Sequence, residues 1–187
     1  SRGWANGLSA GGGFDYRDAS TFTVSVGLTE AGVDHVDEIA ALLFQFIELV
    51  RREGIQPWLF AEQRTMAELA FDFQDPPQPI NYVSSLSRRL QEFLASELIT
   101  AAYTYDEFDP LLLQDLLGYF TPDKTLLTFT SRSVEGATTD PWYGTQYDVS
   151  PLDSARVKAW SASASAAELA IARPNPFIPG NLAIKPM

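Results

Sequence analysis

Between residues 20 and 50 the spacing of apolar residues changes from every second position to every third or fourth. Phe22, Val24, Val26 and Leu28 alternate with Thr21, Thr23, Ser25 and Gly27. Val36, Ile39, Ala40, Leu43, Ile47 and Val50 then recur at helical spacing. The two periods place a half-buried strand directly before an amphipathic helix. A strand with one polar face belongs to an antiparallel sheet covered on its other face. This restricts the chain to an α+β arrangement, and the other elements agree.

Residues 4–9 are the natural partner of the strand at 20–28. Gly11-Gly12-Gly13 and the polar run to Asp18 predict the turn between them. The helix carries Glu30, Asp34, Asp37 and Glu38 at its start and Arg51 and Arg52 at its end, matching its dipole, and Gly54 stops it. Pro57 opens a second helix with the stripe Leu59, Met66, Leu69, Ala70 and Phe73, ended by Asp75-Pro76-Pro77-Gln78-Pro79. A third helix carries Val83, Leu86, Leu90 and Phe93. Asp109 caps and Pro110 opens a fourth, with Leu113, Leu116, Leu117 and Phe120 facing inward. Thr121-Pro122-Asp123 turns the chain, residues 126–131 read as another strand, and Asp153 caps a short helix with Val157 and Trp160. Residues 161–167 are only Ser and Ala, a compositionally weak stretch. Phe44, Phe46, Trp58 and Phe60 are most simply core. The expected fold is α+β: a mostly antiparallel sheet with helices packed on one face. Residues 1–172 read as one domain, and 173–187, with four prolines, as an extended tail.

The chain has 187 residues, enough for a sizeable core, and a net charge of −11. That charge makes duplex nucleic acid and anionic membrane poor partners. It would attract a cationic or amphipathic peptide, although solubility accounts for it equally well. The longest apolar run, 39–50, is broken by Gln45 and Glu48 and is too short to span a bilayer. There are no cysteines, hence no disulfides and no thiolate metal site, which fits cytosol and bacterial periplasm alike. No signal peptide is legible, and the chain opens at Ser1 in mid-pattern, as an excised fragment would.

Several arrangements could carry chemistry, and each has a plainer reading. Gly7-Leu8-Ser9-Ala10-Gly11 matches G-x-S-x-G, with acidic residues and His35 following in triad order. That elbow needs a helix directly after the serine, which three glycines do not supply. The glycines lack the Lys-Ser or Lys-Thr of a phosphate loop, and they precede a strand rather than a helix. His35 is the only histidine, so a zinc site is not expected and a surface role is. Asp106, Glu107 and Asp109 precede a helix, where carboxylates serve as caps more often than as a glycosidase pair. No catalytic or metal-binding residue is assigned.

Trp142-Tyr143-Gly144-Thr145-Gln146-Tyr147 sets three large aromatics in six residues, and such a hexad is expected to be packed rather than catalytic. It also resembles a signature of the pitrilysin/insulinase family of zinc metallopeptidases. The resemblance runs from about Gly3 to Leu182. Ser1-Arg2-Gly3-Trp4-Ala5-Asn6, Val26-Gly27-Leu28-Thr29-Glu30-Ala31-Gly32, Phe44-Gln45-Phe46-Ile47 and Phe71-Asp72-Phe73 follow the family pattern in order. So do Ser133-Val134-Glu135-Gly136 and Asn175-Pro176-Phe177-Ile178-Pro179-Gly180-Asn181-Leu182. The chain departs from it at Ala10, where glycine is usual, and at Gly12-Gly13-Phe14, where polar residues are common.

The resemblance implies a fragment of the second, non-catalytic domain of a zinc metalloendopeptidase, from a bacterial source. Zinc would sit in the parent's first domain, on an H-x-x-E-H motif that this chain lacks, and no cofactor is expected here. The resemblance also implies that the domain walls a chamber shared with the parent's other domains. An edge strand would hold the N-terminal end of the peptide substrate, at positions matching Leu8, Ser9, Ala10 and Gly11. A strand edge offers backbone groups to many sequences in one register. The alternative is a free-standing, non-catalytic module that binds peptides or mediates assembly.

Overall fold

The computed structural model describes residues 2–162 and 168–180. Its elements are β1 (Ala5–Asp15), β2 (Ser20–Leu28), α1 (Val36–Glu53), α2 (Pro57–Asp72), α3 (Pro79–Arg89) and α4 (Pro110–Gly118), then β3 (Thr138–Thr139), β4 (Gln146–Tyr147) and α5 (Ser154–Ser161). The fold is α+β, with two antiparallel two-stranded sheets, β1 with β2 and β3 with β4. The chain divides into two compact units, residues 1–49 with 118–169, and residues 50–117 with 170–187.

In the first unit the expected alternation holds. Leu8 pairs with Val26 and Ala10 with Val24 on one face, while Ser9 pairs with Ser25 and Gly11 with Thr23 on the other. The expected glycine turn is corrected: Gly11, Gly12 and Gly13 lie inside β1, and the turn is at residues 16–19, closed by Tyr16 N–H donating to the Ala19 carbonyl (2.7 Å). A Cβ on Gly13 would meet the hydroxyls of Thr21 (2.5 Å) and Thr23 (2.6 Å). The bare glycine backbone lets those threonines lie across the ladder, and Thr21 Oγ1 accepts the Phe14 N–H (2.8 Å) where the register shifts.

The passage from β2 to α1 is tied back to the start of β1. Thr29 N–H donates to the Trp4 carbonyl (3.0 Å) and its hydroxyl to the Gly3 carbonyl (2.8 Å). Gly32, buried, packs so closely on the Trp4 carbonyl that a Cβ there has no room. The first unit's buried apolar pair is Phe44 of α1 and Trp160 of α5, stacked at 5.9 Å. Arg156, one turn before, lies over the Trp160 ring (5.2 Å) and ion-pairs Asp37 at the head of α1 (2.7 Å). Asp153 caps α5 as expected, accepting the Ala155 N–H (2.9 Å).

In the second unit Pro57 and Pro110 occupy the first turns of α2 and α4, and the Asp109 carboxylate accepts the N–H groups of Leu111 (3.0 Å) and Leu112 (2.9 Å). Pro79, expected in a turn, opens α3. Phe60 packs on Tyr105 and Phe108, and Phe71 on Tyr103.

Three further expectations need correcting. Residues 126–131 form no strand, because among the described residues no strand lies beside them to share a ladder. Phe46 is 38% exposed rather than core. Of the residues expected to face inward from the fourth helix, Leu113 and Leu116 are exposed and only Leu117 and Phe120 are half-buried, and the apolar stripe of α2 is likewise largely exposed, at Leu59, Met66, Ala70 and Phe73. The Ser/Ala stretch at 163–167 and the tail beyond 180 lie outside the described residues.

Phe44 and Trp160 are the only buried large apolar side chains among the described residues. The chain exposes 15174 Å². A self-contained folded protein of 20.6 kDa exposes roughly 9,000 Å². Many large apolar side chains among the described residues are exposed. Two substitutions test the packing that does exist. Trp160→Ala should cost about 3–5 kcal/mol in denaturant unfolding. Gly32→Ala should cost about 1–3 kcal/mol, because its methyl group collides with a backbone carbonyl that cannot swing aside.

Candidate functional site

Leu8, Ser9, Ala10 and Gly11 sit in mid-strand on β1, whose only ladder neighbour among the described residues is β2. In an antiparallel pair, alternate residues turn their N–H and C=O groups away from the partner. The outer edge of β1 is thus a row of available backbone donors and acceptors. Leu8 is 74% exposed, Ser9 and Ala10 are exposed, and Gly11 is half-buried. Ser9, Ala10 and Gly11 put little side-chain bulk in the way of an approaching strand. These four residues are contiguous on one edge, and nothing nucleophilic is assembled around them. Ser9 lies opposite Ser25 in a continuous strand, not at a strand-to-helix elbow, so the hydrolase arrangement is absent.

His35 lies at the surface as expected, its side chain 36% exposed, and is also tied into the structure. Its ring stacks on Trp4 (4.1 Å between centroids, 16° between planes), and its Nδ1 lies 3.0 Å from Glu38 Oε1. The Arg2 guanidinium lies 5.0 Å from the Trp4 ring centroid and 3.7 Å from the Glu168 carboxylate. The group fixes the N-terminal end of β1 to the head of α1. The bond from His35 is the largest influence holding the Glu38 carboxyl below its ordinary value of 4.5, followed by its own backbone N–H. A lone histidine gives no sequence signal for such a stack, since Trp4 is 31 positions away by number.

The aromatic hexad is also corrected. Trp142 is 87% and Tyr143 90% exposed, so the rings are displayed rather than packed within this chain. Their backbone is nevertheless fixed. Asp140 accepts the N–H groups of Trp142 (3.1 Å) and Tyr143 (2.6 Å), Gly144 adopts a positive φ of 68°, and Asp140 N–H donates to the Thr145 carbonyl (2.8 Å). Gly136 lies tight against the Tyr147 backbone, where no side chain fits. The Gly136 and Tyr147 positions of the motif are therefore joined physically.

Among the described residues no three His, Cys, Asp or Glu side chains converge, so the residues present do not fit a zinc site. Asp109 is used as a helix cap, while Asp106 and Glu107 are exposed before it. No described helix is long and apolar enough to cross a membrane.

Two measurements follow from this geometry. His35→Phe should let the Glu38 carboxyl titrate closer to 4.5, read by carboxyl NMR. Because folding lowers that value, its stabilising contribution is full above 4.5 and fades as pH falls through the folded value. Trp142→Ala should change the stability of this chain by no more than about 0.5 kcal/mol, as for other exposed sites.

Known proteins share the sequence pattern and the fold of this chain. Residues 1–67 match the family described as "Peptidase M16 inactive domain", and residues 71–187 match "Middle or third domain of peptidase_M16". Insulin-degrading enzyme-like 1, peroxisomal, from Arabidopsis thaliana is 34% identical, over 98% of this chain and 19% of its own length. Insulin-degrading enzyme from Homo sapiens is 34% identical, over 100% and 18%. The A-factor-processing enzyme of Saccharomyces cerevisiae is 31% identical, over 97% and 18%. The crystal structure of pitrilysin superposes with a TM-score of 0.88 at 21% identity, covering 96% of this chain and 19% of that one, and shows the same fold. The chain thus spans about a fifth of the length of these relatives. The three relatives named are eukaryotic and lend no support to a bacterial source. By both the successive family matches and the near-complete alignments to its relatives, this chain belongs to the M16 peptidase family, the pitrilysin/insulinase group.

Proposed function

We propose that this chain is a non-catalytic part of a zinc metalloendopeptidase, and that it anchors peptide substrate by strand addition along residues 8–11. The carrying observation is the outer edge of β1, small from Ser9 to Gly11, exposed at Ser9 and Ala10 and half-buried at Gly11, with no ladder neighbour among the described residues but β2. Pairing there would use backbone groups and so accept varied sequences, with Leu8 offering an apolar contact on the face it shares with Val26. The stack of Trp4 on His35 supports the reading, because an anchoring strand must be held in place to gain from pre-organisation. The net charge of −11 would favour basic or amphipathic peptides. Zinc and the activated water belong to another part of the parent, and this chain walls the chamber around the bound peptide together with the parent's other domains.

The test uses the complete protease and two peptides, one long enough to reach from the zinc to β1 and one too short. Ser9→Pro or Ala10→Pro should lower kcat/KM for the long peptide about tenfold, a ladder bond's worth of affinity, and leave the short one nearly unchanged. Ser9→Ala should be silent on both. Equal losses on the two lengths would mean that proline disturbs the chamber generally. No loss on either would remove β1 from the substrate site.

A further inference from the structure

Asn6 stands at the head of β1 with a glycine after it. Of the asparagines at 6, 81, 175 and 181, it alone precedes a glycine. Ala5 pairs with Leu28 and Gly7 with Gly27, so Asn6 is the extra residue of a bulge and has no ladder partner on β2. Asn6 and Gly7 are both exposed. The Asn6 carboxamide is turned across the ladder. A Cβ built on Gly27 would stand 2.6 Å from Asn6 Oδ1 and 3.6 Å from the Gly7 nitrogen. The carboxamide and the backbone nitrogen that follows it therefore lie together against Gly27, where regular pairing is interrupted.

We propose that Asn6 is a self-modification site, which deamidates in water through attack of the Gly7 nitrogen on Asn6 Cγ. The nitrogen gives up its proton to hydroxide as the N–Cγ bond forms. The Cγ–Nδ2 bond breaks, and the amide group leaves as ammonia with a proton taken from water. A second water molecule opens the resulting succinimide at one of its two carbonyls. Breaking the new N–Cγ bond leaves aspartate in an unaltered backbone. Breaking the original peptide bond leaves isoaspartate, with the former side chain now carrying the main chain. Neither step needs an oxidant, a reductant or another protein. Asparagine is a labile residue, and Gly7 has no Cβ to crowd the attacking nitrogen. The other described asparagines lack this arrangement. Asn81 precedes Tyr82 within α3, and Asn175 precedes a proline, whose nitrogen has no proton to lose. Either product puts a new carboxylate beside Gly27, and isoaspartate adds an atom to the backbone just ahead of Leu8. The modification does not rest on the substrate role of β1.

The experiment incubates the complete, folded protease in neutral and in mildly alkaline buffer. It then follows the tryptic peptide 3–17, bounded by Arg2 and Arg17, by mass spectrometry, with chromatography to separate the two isomers. Asn6 should deamidate at least about tenfold faster than Asn81 and yield both isomers. The rate should rise with pH, because the attacking nitrogen must lose its proton. Gly7→Ala should slow the reaction about tenfold by crowding that nitrogen. A Cβ at Gly7 meets nothing within 4 Å, so the variant keeps the fold. Asn6→Gln, which must close a larger ring, should remove the mass gain from peptide 3–17. A rate at Asn6 no greater than at Asn81 would overturn the proposal. So would a rate unmoved by Gly7→Ala, or a mass gain that grows with digestion time and not with incubation of the folded protein.

Discussion

The first unit depends on the junction where the β2-to-α1 passage returns to the beginning of β1. Thr29 makes two hydrogen bonds to the Gly3-Trp4 backbone, and Gly32 closes on the Trp4 carbonyl with no space for a side chain. His35 then stacks on the Trp4 ring and reaches Glu38. Each contact is modest alone, of order 1 kcal/mol for a hydrogen bond. Together they define where β1 starts relative to α1, and a strand's register, once fixed at one end, decides which residues lie along its whole edge. Residues 8–11 lie beyond a register shift between Ala5 and Gly7 and are held by their own pairing with residues 23–26 of β2.

The scarcity of buried side chains explains the rest. Phe44 and Trp160 join α1 to α5, and Arg156 bridges the same two helices through Asp37. Beyond that pair, apolar residues remain open on α2, on α4 (Leu111, 75% exposed) and at Leu126 (88%). Large apolar areas are not left in water by self-contained proteins. Residues 126–131, strand-like in sequence, have no strand beside them among the described residues. Trp142 and Tyr143 are held on a well-bonded turn with their rings uncovered.

The elements with strong local signals were legible in the sequence: β2 by its period of two, α1 by its spacing and terminal charges, α2 and α4 by their opening prolines, α5 by its cap. The four edge residues came from family resemblance, and their chemistry is too plain to have been found otherwise: small side chains and a backbone. Glycines misled, because Gly11, Gly12 and Gly13 suit a turn or a crowded strand equally, and Thr21 and Thr23 decided for the strand. The face of α4 expected to turn inward misled for another reason, with Leu113 and Leu116 exposed. Periodicity reports which face is apolar, not whether the polypeptide that covers it lies in the same 187 residues.

What the sequence determined by itself was therefore local: element types, caps, the lack of a histidine or cysteine set for zinc, and membership in a family through short motifs in order. The tertiary structure decided which distant groups meet. It brought His35 onto Trp4, Phe44 onto Trp160 and Gly136 against Tyr147, and it left Trp142 outside. The physical reason is range. Backbone propensity and period act over a few residues, whereas burial depends on whichever surfaces the folded chain brings into contact, and those can lie a hundred positions apart.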